Sequence, residues 1–398
     1  MRWIMSGHGV VIVAAKRTPI GAFQGVLTPM SAPQLGAAAI RAALDAAGVA
    51  AADIQEVIMG CVLPAGLGQA PARQAAIGAG IPTGTPATTV NKMCGSGLKA
   101  IMLGADQIRT GDVEVVIAGG LESMTNSPYL LPKARSGYRM GHGEILDHMF
   151  FDGLQSPFDG QLMGCFGERT ASRYQFSRAE QDAFAGESVR RALAAIAADH
   201  FAAEMTAVTV KGRKGDIVVT RDETPFSCDV SKIPTLKAAF AKDGTVTAAS
   251  SSSIADGAAA VMLMSAATAK ARGLKPLARI IAYASHAHEP EWFTTAPIGA
   301  INKVLGKAGW RAEDVDLYEI NEAFAVVTMA AMRDVGIEHA RVNVNGGACA
   351  LGHPVGASGA RIVTTLVHAL ARRGSAKGVA ALCIGGGEAV AIAVERIA

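Results

Sequence analysis

Val90-Asn91-Lys92-Met93-Cys94-Gly95-Ser96-Gly97-Leu98-Lys99 joins two kinds of local pattern. Before it, Thr88-Thr89-Val90 is β-branched and strand-like; after it, Leu98, Ile101, Met102, Ala105 and Ile108 recur at helical spacing. Cys94 is therefore predicted at a strand-to-helix junction, at the helix N-terminus. Unpaired backbone N–H groups and the positive end of the helix dipole favour an anion there, so the thiol is expected to ionise below its ordinary pKa of ~8.5. On this motif alone, a buried structural cysteine beside a tight turn explains the residues equally well.

Working outward, the flanking pattern occurs twice. An amphipathic helix over 32–47 ends at Gly48 and leads through Asp53 into the strand-like Glu56-Val57-Ile58-Met59-Gly60. Far downstream, Gly309 and Asp314 stand in the places of Gly48 and Asp53, and Ala357-Ser358-Gly359 in the place of Gly95-Ser96-Gly97. Each triplet precedes a helix (98–109 and 360–373), a glycine, and a strand running into glycines, Val115–Gly120 and Leu382–Gly387. The chain is thus predicted to be a duplication of two α/β units with mostly parallel sheets, packed through helices at their junction.

Between the repeats the composition changes. Most of the phenylalanines fall between Ser123 and Thr245, among irregular Gly/Pro-rich runs. This stretch reads as an insertion covering a site, with one clear helix announced by the capping box Ser177-Arg178-Ala179-Glu180 and running to about Ala198. The predicted division is residues 1–122 with 246–275 as the first half, 123–245 as the insertion and 276–398 as the second half. The basic Lys211–Asp216 run reads first as a solvated turn and second as a contact for an anionic ligand.

Composition excludes several classes. The 398 residues are 50% hydrophobic and 18% charged, enough for two well-buried cores and too apolar for disorder. A net charge of +3 without a basic stripe points away from nucleic acid and membrane surfaces. Six scattered cysteines without a CxxC pair argue against zinc and disulfide scaffolds and fit a reducing cytoplasm. Val10–Ala15, followed at once by Lys16-Arg17, reads as a buried first strand rather than a signal-peptide core, and no apolar run reaches membrane-spanning length.

The second half carries its own polar groups at matching junctions. Asn321-Glu322-Ala323-Phe324-Ala325 follows the strand-like Leu317–Ile320, His353 takes the repeat position of Asn91, and Cys383 ends a strand beside Gly385-Gly386-Gly387. Singly, Asn321 reads as a helix cap, His353 as a turn residue and Cys383 as strand filling. Jointly they fall at strand ends, where α/β sheets gather ligands, and point to one shared pocket. His286, His288 and His368 lack such a context.

These blocks, Asn91–Leu98, Asn321–Ala325, Gly346–Gly359 and Cys383–Gly387, resemble in order the signature blocks of the thiolases, in particular bacterial acetyl-CoA acetyltransferases. The similarity extends to Gly68–Gln74 and Asp243–Ala248 and spans nearly the whole chain. The resemblance implies the thiolase fold, two duplicated α/β halves in an α-β-α-β-α layering with an inserted loop domain. It also implies reversible Claisen condensation of two acetyl-CoA to acetoacetyl-CoA and CoA, an activity of fatty acid metabolism, through an acyl-cysteine.

By the same resemblance Cys94 is the nucleophile, His353 its base, and Cys383 the base that removes the α-proton of the second acetyl-CoA. His353 with an Asn321-held water would stabilise the enolate, and the N–H groups of Cys94 and Gly385 the acyl oxygen. Leu154, Met163, Phe240, Ala248, Ser252, Ala323 and Phe324 match CoA-binding positions. No metal or redox cofactor is implied, and Leu131–His142 resembles a loop that joins dimers into tetramers, implying a cytoplasmic homotetramer. The chain departs from the family at Leu162, where histidine is common; at Phe226, in place of an arginine; at Ala248–Ser252; and at Glu388-Ala389. These bear on CoA affinity and on acyl-chain length. A degradative 3-ketoacyl-CoA thiolase of broader range and a non-enzymatic lipid-binding relative are the alternatives. A decarboxylating ketoacyl synthase, which normally pairs its cysteine with histidines or with a histidine and an asparagine, fits less well than a thiolase with a second cysteine.

Overall fold

The computed structural model describes residues 9–212 and 215–397. Arg213 and Lys214 of the basic turn lie outside the described residues. Nine strands make the frame: β1 (Val10–Arg17), β2 (Glu56–Gly60), β3 (Ala87–Val90), β4 (Val115–Ser123), β5 (Ala255–Ser265), β6 (Ala278–Ala287), β7 (Leu317–Ile320), β8 (Lys377–Ile384) and β9 (Glu388–Arg396). They run in the order β7-β8-β9-β6-β1-β5-β4-β2-β3 as one continuous sheet, with a short Gly21–Ala22 strand beside β5.

The order is symmetric about the β1/β6 seam, where Val11 pairs with Arg279 and Ile12 with Ala278. On one side lie β5, β4 and β2, on the other β9, β8 and β7, each set the counterpart of the other. The duplication is visible in detail. Helix α1 (Ala32–Ala47) ends at left-handed Gly48 (φ 63°), and its counterpart Ala296–Ala308 ends at left-handed Gly309 (φ 68°). A single 3₁₀ turn follows each, Ala51–Asp53 and Ala312–Asp314. Glycine takes these positions because positive φ costs it little.

The expectation of mostly parallel sheets is corrected. Only β2/β3, β2/β4 and β7/β8 run parallel, whereas β1/β5, β5/β4, β1/β6, β6/β9 and β8/β9 are antiparallel. The reason is connectivity: strands joined through a crossover helix stay parallel, while β8 and β9 are joined only by Gly385-Gly386-Gly387, too short for a crossover.

Helices cover the sheet in layers. Leu35, Ile40 and Leu44 of α1 pack with α2 (Pro71–Gly78) on the outer face of the first half. In the central layer, α3 (Ser96–Thr110) lies against a second helix, Val355–Arg373, and the outer face of the second half is covered by Ala296–Ala308 and Ala325–Val335. The central pair crosses very closely. A Cβ on Gly359 would sit 2.3 Å from the Leu98 backbone nitrogen, and one on Gly97 would sit 2.8 Å from that of Ala360. Only two facing glycines permit that approach.

The insertion between β4 and β5 holds the expected capped helix α5 (Arg178–Ala197), with Ser177 and Glu180 closing both arms of the capping box. It also holds α4 (Met163–Tyr174), which the sequence reading missed. That helix starts at Leu162 without a side-chain cap and contains Gly164 and Gly167, so neither its start nor its propensity announces it. The longer helices of the second half are α6 (Ala296–Ala308), α7 (Ala325–Val335) and α8 (Val355–Arg373), and two short ones span Ala266–Ala271 and Ala348–Leu351. The insertion is tied to the frame by buried Arg17 of β1, which donates to Glu204 at 2.5 Å and to Asp222 at 2.7 Å. Removing one partner of such a buried pair leaves an uncompensated charge and typically costs ~3–5 kcal/mol. Among the described residues, no helix is long and apolar enough to cross a membrane.

Candidate active site

The Cys94 turn is built by its neighbours. Met93 takes a left-handed backbone (φ 46°), which an ordinary side chain adopts only under constraint. The constraints are hydrogen bonds: the Met93 N–H donates to Asn91 Oδ1 at 2.9 Å, the Lys92 N–H donates to Ser96 Oγ at 2.9 Å, and the Ser96 hydroxyl donates to the Met93 carbonyl at 2.6 Å. Asn91 also donates to the Val62 carbonyl at 3.3 Å. Cys94 is thereby lifted onto the rim of α3, partly accessible.

Its thiol does not behave as the helix-dipole argument predicts. Burial pushes the Cys94 pKa up to about 11, against the lowering by the N–H groups of Gly385 and of Cys94 itself. Desolvating a thiolate in an apolar cleft outweighs a helix terminus, so the resting nucleophile is a neutral thiol. It needs a base to ionise.

His353 supplies one. Its ring is 6% exposed, and burial, with Arg361 second, holds its pKa down at about 3, so the imidazole is neutral. The Ser358 hydroxyl donates to the Pro354 carbonyl at 3.0 Å and lies 2.5 Å from His353 Nδ1. With its proton committed to Pro354, Ser358 accepts from Nδ1–H, which fixes the tautomer with a bare lone pair on Nε2. Nε2 is buried and has no hydrogen-bond partner among the described residues. It is an unspent acceptor on a residue that lines the same cleft as Cys94. The sequence reading named His353 but not Ser358; the signal was a hydroxyl one helical turn past Pro354, within reach of the same side chain.

Both residues line a cleft of about 210 Å³. Gly385, Leu154, Met163, Phe240, Ser252, Ala323 and Phe324 line it too. Phe240 meets Phe324 edge-on with centroids 5.9 Å apart, and Gly164 leaves room for the Phe240 ring, which a Cβ there would meet at 2.3 Å. Ser252 donates to the Ala323 carbonyl through its hydroxyl and its N–H, each at 3.0 Å, joining the segment that leads into β5 to the second half. Ala248 is exposed and does not line the cleft. Phe150, Ile254, Phe293 and Val355 do line it and were not foreseen, since apolar residues carry no motif. Leu162 adds a further apolar wall.

Cys383 and Asn321 lie behind this surface. Cys383 is fully buried near the end of β8, packed among Phe166, Phe293 and Phe324. Burial first, and the nearby Cys94 second, push its thiol well above the ordinary range. Asn321 is 1% exposed, and neither its Oδ1 nor its Nδ2 has a hydrogen-bond partner among the described residues. A buried carboxamide left unpaired costs ~1–3 kcal/mol, a price that structural residues rarely carry.

Comparison with known proteins agrees with this geometry. The thiolase N-terminal domain model matches residues 10–267 and the thiolase C-terminal domain model residues 274–396. The chain is 53% identical to the acetyl-CoA acetyltransferase of Pseudomonas aeruginosa, over 97% of this chain and 99% of that one. It is 48% identical to that of Schizosaccharomyces pombe, over 98% and 99%. The crystal structure of Acat5 thiolase from Ascaris suum in complex with coenzyme A superposes with a TM-score of 0.93 at 42% identity, covering 98% of this chain and all of that one. Two thiols and a neutral histidine gathered from duplicated halves, in a frame shared over nearly the full length with these relatives, place the chain in the thiolase family.

Proposed function

We infer that the chain is an acetyl-CoA C-acetyltransferase that condenses two acetyl-CoA to acetoacetyl-CoA and CoA, and runs the reverse thiolysis. The observation that carries this reading is that Cys94 and neutral His353, whose Nε2 has no partner among the described residues, line one apolar cleft, with Cys383 buried close enough to feel the Cys94 charge. In the first half-reaction Cys94 attacks the thioester carbonyl while its proton passes to Nε2, and the departing CoA thiolate takes the proton of Cys383. Acetyl-Cys94 remains.

In the second half-reaction the Cys383 thiolate removes the α-proton of a second acetyl-CoA. Burial makes that thiolate a strong base, as carbon deprotonation requires. The enolate oxygen is met by His353 Nε2–H and by a water on Asn321, and the acyl oxygen by the N–H groups of Cys94 and Gly385. The enolate carbon attacks the acyl carbon, and Cys94 leaves as a thiolate that recovers its proton from His353. Leu154, Met163, Phe240, Ser252, Ala323 and Phe324 line the path proposed for the pantetheine arm. Ala248, outside the cleft, is proposed only as a rim position.

The test is acyl-enzyme mass spectrometry after incubation with acetyl-CoA. Cys383→Ala is expected to accumulate the acetyl adduct on Cys94 without condensing it, and Cys94→Ala to form none; an adduct on Cys383 in the latter reverses the assignment. Six unpaired cysteines support a reducing, cytoplasmic setting. Exposed Leu131, Tyr138 and Met140 support a loop-mediated homotetramer, checked by light scattering, in which a dimer mass rejects it. A degradative enzyme of broader chain length is favoured by one observation, Leu162 in the cleft wall.

A further inference from the structure

The two segments that carry the reacting groups come from different halves and meet at three points. Gly95, directly after the nucleophile, packs on Ile384, whose Cδ1 would lie 2.4 Å from a Cβ built there. Gly385 and Cys94 line the same cleft, and the Gly385 N–H favours the Cys94 thiolate. The third contact is an ion pair between the Lys92 ammonium and the Glu388 carboxylate, whose side chains are 24% and 37% exposed.

Glu388 opens β9 and pairs in register with Ile384, so it closes the hairpin whose turn is Gly385-Gly386-Gly387. Gly386 and Gly387 hold φ of 94° and 88°. Three consecutive glycines lose more conformational freedom on ordering than any other tripeptide, so such a turn is the least self-supporting way to hold a catalytic N–H. Lys92, in contrast, is built into the rigid side: its N–H donates to Ser96 Oγ at 2.9 Å and its carbonyl accepts from the Gly95 N–H at 3.0 Å.

We propose that Lys92 and Glu388 are positioning residues that clamp the glycine hairpin against the nucleophile turn and so set the Gly385 N–H at the distance from Cys94 that acyl transfer needs. Neither is among the residues that line the cleft. The pair joins the duplicated halves two residues from the cysteine itself. The inference rests on the acyltransferase reading, but one of its readouts does not.

Glu388→Gln, Lys92→Met and the reciprocal double variant Lys92→Glu with Glu388→Lys are compared with the unaltered protein. Each single variant is expected to lower kcat for acetoacetyl-CoA thiolysis by about three- to tenfold with KM within about twofold, short of the ~10²–10³ that follows deletion of an oxyanion donor. The double variant restores at least half of the loss. Salt at about 1 M, which screens a partly exposed pair, lowers kcat of the unaltered protein and leaves Glu388→Gln unmoved. Independently of any acyl substrate, iodoacetamide alkylation of Cys94 followed against pH titrates at higher pH in the single variants, because the thiolate has lost a well-placed donor.

Unchanged kcat and an unchanged alkylation profile in both single variants overturn the proposal. So does a rise in KM at constant kcat, which would place the pair in CoA binding, and so does a double variant no better than the singles. A protein with no thiolase activity whose alkylation profile still shifts separates failure of the functional reading from failure of the clamp.

Discussion

Replacing Ser358 by alanine tests the tautomer argument most directly. The Ser358 hydroxyl, fully buried, sits 2.5 Å from His353 Nδ1 and gives its own proton to Pro354 at 3.0 Å. Ser358→Ala leaves Nδ1–H unpaired in a buried site, a loss of about 1–3 kcal/mol in the tautomer that bares Nε2. The alternative tautomer, with the proton on Nε2, has no acceptor for Cys94's proton. At about 1.4 kcal/mol per tenfold, kcat for acetoacetyl-CoA thiolysis is expected to fall about 5- to 140-fold, with KM for CoA little changed because Ser358 does not line the cleft. The assay is loss of 3-ketoacyl absorbance at saturating substrate, together with a urea unfolding curve to confirm an intact fold. A folded variant that keeps more than about half the original kcat refutes the assignment of Ser358 as the group that orients the base.

Three further outcomes follow from the same coordinates. Gly359→Ala puts a Cβ 2.3 Å from the Leu98 backbone nitrogen, so a change that ordinarily favours a helix is expected to destabilise by about 2–3 kcal/mol in urea unfolding; a neutral or stabilising result denies the close crossing of α3 and α8. The folded-state pKa of His353 is lowered from 6.5 to about 3, so the unfolded chain binds its proton first; its contribution is complete above pH 6.5 and is lost as pH falls toward 3. At about pH 5 that loss is about 2 kcal/mol, and His353→Asn is expected to lose that much less than the parent between pH 7 and 5; equal losses contradict a buried neutral imidazole. Leu162→His should narrow chain-length tolerance, because an apolar wall gains about 0.8 kcal/mol for each methylene buried; relative kcat/KM for acetoacetyl-, 3-ketohexanoyl- and 3-ketodecanoyl-CoA that does not change on substitution removes Leu162 from specificity, and a steady rise through the ten-carbon substrate in the parent marks a long-chain degradative enzyme.

Legibility in the sequence followed the kind of force involved. Helix α1 was readable to its ends because Ser31, Gln34 and Gly48 are local signals acting on their own backbone. The duplication was readable because Gly48 and Gly309 repeat the same conformational demand. Strand direction was not, since hydrophobic patterns are indifferent to it and the antiparallel pairings depend on contacts between distant segments. At the site, chemistry-bearing residue types announced Cys94, His353, Cys383 and Asn321. Their protonation did not: the dipole at a helix start is local and visible, whereas the burial that pushes Cys94 up to about 11 comes from side chains scattered over the whole chain. Helix α4 stayed hidden for a similar reason, since its glycines are explained only by what lies against them, as Gly164 is by Phe240.

The seam between β1 and β6 and the glycine crossing of α3 on α8 join the two halves at two separate places. The stretch between β4 and β5 roofs the cleft through Leu154, Met163 and Phe240 and is moored to the same frame by Arg17. The cleft thus takes its roof from one part of the chain and Cys94 and His353 from the turns of the two halves, so that a substitution in the roof reshapes the walls without touching either reacting group.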